Sequence, residues 1–402
     1  MVKLRSFKAF RPSFDDAEII AELPYDVMST DEAREIIKVN PRSIIGIDRA
    51  EAHFDNIEYN DPAVYKKARE LFKEIIKSGE LKQDEDSSIY LYVQEFKGKT
   101  QKGIVALSSA EDYLNKKIKV HEKTIAEKEV DRTNHIDITG YHLGPIFLLY
   151  ETNKKIENII NETIKNDNVL FDFEKNGVRN TGYKIIDSEG IIEAFNEIEN
   201  TYIADGHHRS KSAINVYLKD RENNTRRESD YFLSVLFSKD DINVMAYNRY
   251  LRSLKGLKTE EVFDALRKYY EVEELKEFTE PGQKYELSVY HDKKSYKLTL
   301  KDEYKNSDVL KDLDVSSLQK YVLNGIFGIE DPTVEDDLEF VGGIRGINHL
   351  KTLVDKNGGI AFSMYPTSAE DLLSVAGRGD MMPAKSTWFE PKLLNGLFVH
   401  EM

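Results

Sequence analysis

The chain has 402 residues, 40% of them hydrophobic, which is too long for one ordinary core and enough for two or three modest ones. Lysine and arginine number 57 against 72 aspartates and glutamates; the balance of −15 disfavours nucleic acid and anionic membranes and makes a small molecule the expected partner. No apolar run approaches the roughly 20 residues that span a bilayer, the basic N-terminus has no apolar stretch behind it, and cysteine is absent. Disulfides, thiolate metal sites and a cysteine nucleophile are thereby removed, and a cytoplasmic protein is expected.

Polar breaks at 82–88, 219–230 and 301–308 punctuate the chain. Before the first, Arg11-Pro12 and Pro24-Tyr25-Asp26-Val27 lead to a helix opened by Ser29-Thr30-Asp31-Glu32 and ended before Asn40-Pro41. A second helix spans Pro62 to Ser78, with Val64, Ala68, Leu71, Phe72, Ile75 and Ile76 on one face and Gly79 as its stop. Strands are expected at Ser88 to Phe96, Gly103 to Leu107 and Gly144 to Tyr150, then a helix at Lys154 to Lys165.

Farther on, the pattern predicts a helix at Thr259 to Tyr269 and a strand pair at Tyr285 to Tyr290 and Ser295 to Leu300. A helix at Ser316 to Phe327 and a last strand near Gly396 to His400 follow. Gly342-Gly343-Ile344-Arg345-Gly346 reads as a loop. Strands and helices do not alternate regularly enough for a doubly wound sheet, so the class is α+β or an irregular α/β.

The densest chemistry lies in Thr201 to Lys219. Thr201-Tyr202-Ile203-Ala204 reads as a strand, Asp205-Gly206 as a turn and Arg209 to Lys219 as a helix. Such a turn aims backbone amides and a helix dipole at one point, where His207, His208, Arg209, Ser210 and Lys211 add donors. An anion is the natural occupant, gripped by the Arg209 fork and approached closely because Gly206 lacks a side chain. Two other readings stand beside it: Asp205 as a plain helix cap with surface histidines, and His207 with His208 as metal ligands, although neighbouring histidines on one turn point apart.

Two weaker segments accompany it. Val120-His121-Glu122-Lys123-Thr124 ends the short strand Lys117 to Val120 and lacks the second histidine of a zincin helix, so Glu122 is either a general base or an exposed carboxylate. Met382-Pro383-Ala384-Lys385-Ser386-Thr387 carries a Lys-Ser-Thr run without the glycine spacing of a P-loop. It reads either as a phosphate-binding tail or as an ordered loop.

Taken together, the segments resemble a family of bacterial proteins long labelled a domain of unknown function and related to free serine kinases. The likeness spans nearly the whole chain. It is carried by Arg11-Pro12 with Pro24-Tyr25-Asp26-Val27, Asn40-Pro41, His121-Glu122-Lys123-Thr124 with Asp131-Arg132, Gly144-Pro145-Ile146-Phe147, Asp205-Gly206-His207-His208-Arg209 and Met382 to Thr387. The middle part is similar to the ParB/sulfiredoxin superfamily. The resemblance implies a ParB/sulfiredoxin-like nucleotide-binding core at 88–256 with additional α/β modules at 1–87 and 257–402.

It also implies a kinase that moves a phosphoryl group from ATP or ADP to free L-serine with Mg²⁺. In that reading Glu122 is the base and Asp205 is a catalytic group and the metal ligand. Gly206, His207, His208, Arg209, Arg132, Lys385, Ser386 and Thr387 hold phosphate or nucleotide. Sulfiredoxin chemistry is excluded because it needs a cysteine. A ParB-like DNA-associated protein predicts a basic face that the charge balance does not supply. A metal hydrolase built on His121, Glu122, His207 and His208 predicts tightly bound zinc.

Overall fold

The computed structural model describes residues 1–225 and 227–402. Contacts divide it into two compact units: residues 1–120, 124–242 and 391–402 form the first, and 121–123 with 243–390 form the second. The expected boundary at 87/88 falls inside the first unit and that at 256/257 inside the second.

In the first unit, helix α1 (Thr30–Val39) starts where the sequence predicts, with Ser29 and Glu32 closing a reciprocal capping box. Helix α2 (Pro62–Lys77) buries Val64, Tyr65, Ala68, Phe72 and Ile75. The main sheet takes β1 (Leu4–Arg5), β2 (Tyr90–Phe96), β3 (Lys99–Ser109), β4 (Ile118–Lys119), β5 (Ile146–Tyr150), β6 (Val169–Lys175), β7 (Val178–Lys184), β8 (Thr201–Asp205) and β9 (Tyr231–Ser238). Its order is β4-β8-β5-β9-β3-β2-β7-β6, with β1 beside β3. The pairs β8/β4 and β9/β5 are parallel and the others antiparallel, so the fold is a mixed α/β arrangement.

Four longer helices also belong to this unit: α3 (Ala126–Thr139), α4 (Lys154–Lys165), α5 (Ser188–Phe195) and α6 (His207–Asn223). One core joins Ile104, Leu148, Ile203 and Leu236 of the sheet to Ile156, Ile191 and Ile214 of the helices. Each fully buried aliphatic side chain contributes roughly 1.5–3 kcal/mol.

The second unit is built on an antiparallel sheet of β10 (Tyr247–Leu251), β11 (Tyr270–Leu275), β12 (Glu286–His291), β13 (Lys294–Leu300), β14 (Leu338–Gly342) and β15 (Ile360–Met364). Helices α7 (Thr259–Tyr269), α8 (Ile347–Asn357) and α9 (Ala369–Gly377) accompany it. The backbone N–H of Glu390 donates to Asn243 O at 3.2 Å. The entry and exit of this unit are thus tied together, as in a domain inserted into another.

Three local expectations change. The glycine segment is not a loop: Gly342 closes β14, Gly343–Arg345 is a 3₁₀ turn and Gly346 precedes α8. The helix expected at Ser316 to Phe327 starts as α over Asp314–Ser317 and continues as a π-helix over Leu318–Asn324. The apolar run at Gly396 to His400 is buried, but only His400–Glu401 forms a strand, paired with Tyr141–His142.

That last pair packs two histidines edge to face, with centroids 5.7 Å apart. Burial pushes His142 down to about 3 and His400 down to about 4. Both stay neutral in the fold while the unfolded chain takes up protons below about pH 6.5. Stability is therefore full above that pH and falls as pH drops toward 4. Each ring is expected to remove about 1–2 kcal/mol by pH 5. Urea unfolding at pH 7.5 and pH 5 checks this, and equal midpoints with equal slopes would contradict it.

Candidate active site

The strand β8 runs into Gly206, whose φ of 93° lies in the left-handed region that glycine tolerates best. The chain then enters α6 directly at His207, two residues earlier than the sequence pattern indicates. The N-cap is Gly206, which has no side chain to cap with, and the positive end of the helix dipole points at the turn.

The Arg209 side chain folds back over that turn. Its Nη1 donates to Pro145 O at 2.7 Å, just before β5, and its Nη2 to Asp205 Oδ2 at 3.2 Å. Its Nε is buried and has no hydrogen-bond partner among the described residues. A Cβ on Gly206 would stand 3.3 Å from that Nε, so glycine there keeps the donor approachable. Burial pulls the guanidinium's pKa down, but Asp26 and Asp205 more than offset it and the net shift is upward. Asp205 also faces Lys392 Nζ at 3.6 Å, a residue that comes from the returning C-terminal segment.

His208 has a structural contact: its Nε2 accepts from the backbone N–H of Ile125 at 3.0 Å, the residue that precedes α3. The imidazole therefore joins the starts of two helices. His207 is buried in the first turn of α6, and Ser210 Oγ donates to its carbonyl at 2.9 Å.

Arg132 on α3 is almost fully buried and is held by acids. Its Nε donates to Asp131 Oδ2 at 2.8 Å and its Nη1 to Asp48 Oδ1 at 3.2 Å. Tyr65 Oη donates to the other oxygen of Asp131 at 2.9 Å, and the Tyr25 ring lies 4.0 Å beneath the guanidinium. Burial lowers the Arg132 pKa, yet Asp131, Tyr25 and Asp48 together raise it on balance. Asp48 Oδ2 accepts from Tyr25 N at 3.2 Å and from Asn395 Nδ2 at 2.8 Å.

These residues surround a small cavity of about 40 Å³, lined among others by Tyr25, Asp48, Arg132, His135, Gly144, Arg209 and Asn395. His135 bonds Ile47 O through Nε2 at 3.0 Å, and burial together with Arg132 lowers its pKa, keeping it neutral.

Of the expected site residues, Asp205, Gly206, His207, His208, Arg209 and Arg132 belong to the first unit, whereas Glu122, Lys385, Ser386 and Thr387 belong to the second. There, Met382 N donates to His121 O at 2.8 Å, next to Glu122. The loop 383–387 rests on Arg249, a buried arginine that donates to Ala384 O at 3.2 Å and Lys385 O at 3.0 Å. Burial pushes the Arg249 pKa down to about 9, still charged at neutral pH. Lys385 is exposed with φ 57°, while the buried Ser386 hydroxyl is engaged with Pro383 O at 2.6 Å. In this structure Ser386 therefore locks its own loop.

Sequence reasoning gave no role to Tyr25, Asp48, Lys392 or Asn395. Tyr25 lay within a quoted motif, and Lys392 stood beside the Lys-Ser-Thr run. Asp48 and Asn395 carried no local signal.

A family model described as a protein of unknown function, DUF1015, matches residues 4–316. No functionally curated protein matches the chain. Among solved structures, a mutant free serine kinase in complex with ADP is 15% identical at a TM-score of 0.37, covering 71% of this chain and 87% of its own. A conserved hypothetical protein from Pyrococcus furiosus is 13% identical at 0.37, covering 73% and 94%. SbnI with a C-terminal truncation, from Staphylococcus aureus, is 11% identical at 0.38, covering 72% and 85%. At such scores these likenesses carry nothing further. Among the described residues no helix is long and apolar enough to cross a membrane.

Proposed function

The chain belongs to the DUF1015 family, and from that premise we propose that it is a small-molecule kinase, transferring a phosphoryl group from ATP or ADP to the hydroxyl of free L-serine. The observation that carries this reading is the β8–Gly206–α6 turn. There the N-terminal end of α6 and its dipole meet a buried arginine Nε that has no hydrogen-bond partner among the described residues. A buried donor left unpaired costs roughly 1–3 kcal/mol, and a phosphate oxygen supplies the missing acceptor together with charge complementarity.

Phosphoryl transfer asks mostly for positioning and for neutralisation of charge. Gly206 lets the main chain approach the phosphates. Arg209 offsets charge on the transferred group, and Lys392 brings a second cation beside Asp205. Glu122 is assigned as the residue that orients the serine hydroxyl and accepts its proton late in the transfer, and Lys385 as a further cation for the nucleotide.

Mg²⁺ is commonly held by one or two carboxylates plus phosphate oxygens. Asp205, partly exposed, is the carboxylate at this turn that would hold it, in competition with Arg209 Nη2 at 3.2 Å and Lys392 Nζ at 3.6 Å. Bound there, the ion supplies neutralisation of phosphate charge.

The direct test is incubation with Mg²⁺, L-serine and, separately, ATP, ADP and pyrophosphate, with O-phosphoserine followed by mass spectrometry. Product with one donor is expected. Nucleotide-dependent thermal protection without product would mean that the acceptor is wrong, and absence of both would overturn the turn's assignment. Glu122→Gln is expected to lower turnover at least about 10²-fold while nucleotide binding persists. Equal loss of both would sink the role given to Glu122.

A further inference from the structure

The cavity beside the turn has chemistry that the phosphate reading does not use. Asn395 is 2% exposed, and its Nδ2 donates to Asp48 Oδ2 at 2.8 Å. Because an ionised carboxylate only accepts, this bond fixes which end of the amide is oxygen. Its Oδ1 is then left buried with no hydrogen-bond partner among the described residues. A Cβ at Gly144 would lie 1.9 Å from that oxygen, so only glycine leaves room around it. A buried acceptor without a donor is costly.

The same cavity is lined by two arginines and a carboxylate. It thus offers positive donors and an uncommitted neutral acceptor within one small polar space. A bare anion would use only the arginines, and a bare cation only Asp48 and Asn395. A zwitterion uses both and adds no net charge. By volume, about 40 Å³ holds roughly three waters, the equivalent of about 90 Å³ of liquid. That suits a small amino acid and is too little for a nucleotide. Arg209 belongs to this cavity and to the phosphate turn alike, so an amino acid seated here lies next to the phosphate turn.

We propose that this cavity is the acceptor subsite for a small amino acid, with the α-carboxylate received by Arg132 and Arg209 and the α-ammonium donating to Asn395 Oδ1. Insofar as it names an acceptor for phosphoryl transfer, it rests on the kinase reading. The amino-acid site itself stands on the cavity alone.

Calorimetric titration of the unmodified protein with L-serine, L-serine amide and 3-hydroxypropionate tests it without any variant. The amide, lacking the carboxylate, and the hydroxy acid, lacking the ammonium, are each expected to bind at least about 10-fold more weakly than L-serine. Equal binding of all three, or no binding of any, overturns the subsite and leaves the cavity to water. Asn395→Ala is expected to raise the KM for L-serine about 10-fold with the nucleotide KM unchanged. A parallel rise in both would indicate loss of structure rather than of an ammonium acceptor, and would count against the assignment. Failure of the two ideas is separable. Phosphoserine formed by a protein whose affinity ignores carboxylate and ammonium keeps the kinase and discards the subsite. Selective binding of L-serine without any phosphoserine does the reverse.

Discussion

Arg132→Met is expected to lower the unfolding free energy of the first unit by about 3–5 kcal/mol, the usual cost of breaking a buried ion pair from one side. Asp131 and Asp48 are both nearly fully buried and both direct an oxygen at this guanidinium. Methionine preserves much of the packing against Tyr25 but leaves two carboxylates without their cation. At roughly 2–4 °C per kcal/mol for a unit of this size, the melting temperature drops by about 10 °C. Calorimetry checks this, and a shift below about 2 °C would show that the acids find other partners. Arg132→Lys retains the charge but not the fork, and is expected to fall between the two.

The second large effect concerns Arg209→Lys, which is expected to reduce phosphoserine formation about 10²–10³-fold, the scale of losing one preorganised donor at developing charge. The guanidinium spans Pro145 O and Asp205 Oδ2 while presenting Nε beside Gly206. An ammonium is a point charge and cannot meet all three directions. Initial rates with saturating nucleotide and L-serine measure it. A loss smaller than about threefold would remove Arg209 from the transfer step and leave it as a link between β8 and the start of β5.

The turn was legible in the sequence because strand, glycine and helix are consecutive there, and the crowd of donors lies within five residues. The α2 helix, the start of α1 and the α4 and α7 helices were legible for a similar reason: apolar spacing or cap chemistry is local. Helix α3 was not foreseen, since Glu127, Lys128, Glu129, Asp131 and Arg132 interrupt any apolar stripe, and it buries charged residues instead. The hairpin β6–β7 was missed although Asn176-Gly177 stands at its turn, both residues with positive φ. The glycines after β14 failed as a loop because that strand's own apolar alternation is weak. Asp48 and Asn395 meet at 2.8 Å across 347 positions of chain, and no spacing rule connects residues so far apart. A site assembled from such pairs becomes visible only when the topology is known.

The return of residues 391–402 to the first unit also sets an order of events during biosynthesis. Lys392 and Asn395 follow about 150 residues that belong to the second unit. At 5–20 residues per second, the ribosome takes on the order of ten seconds to cross that interval. Throughout it the emerging first unit has Asp48 without its amide partner and Asp205 without its lysine, although all the strands of its main sheet have been synthesised. The contacts of Lys392 and Asn395 with the first unit can thus form only after the inserted unit has been made.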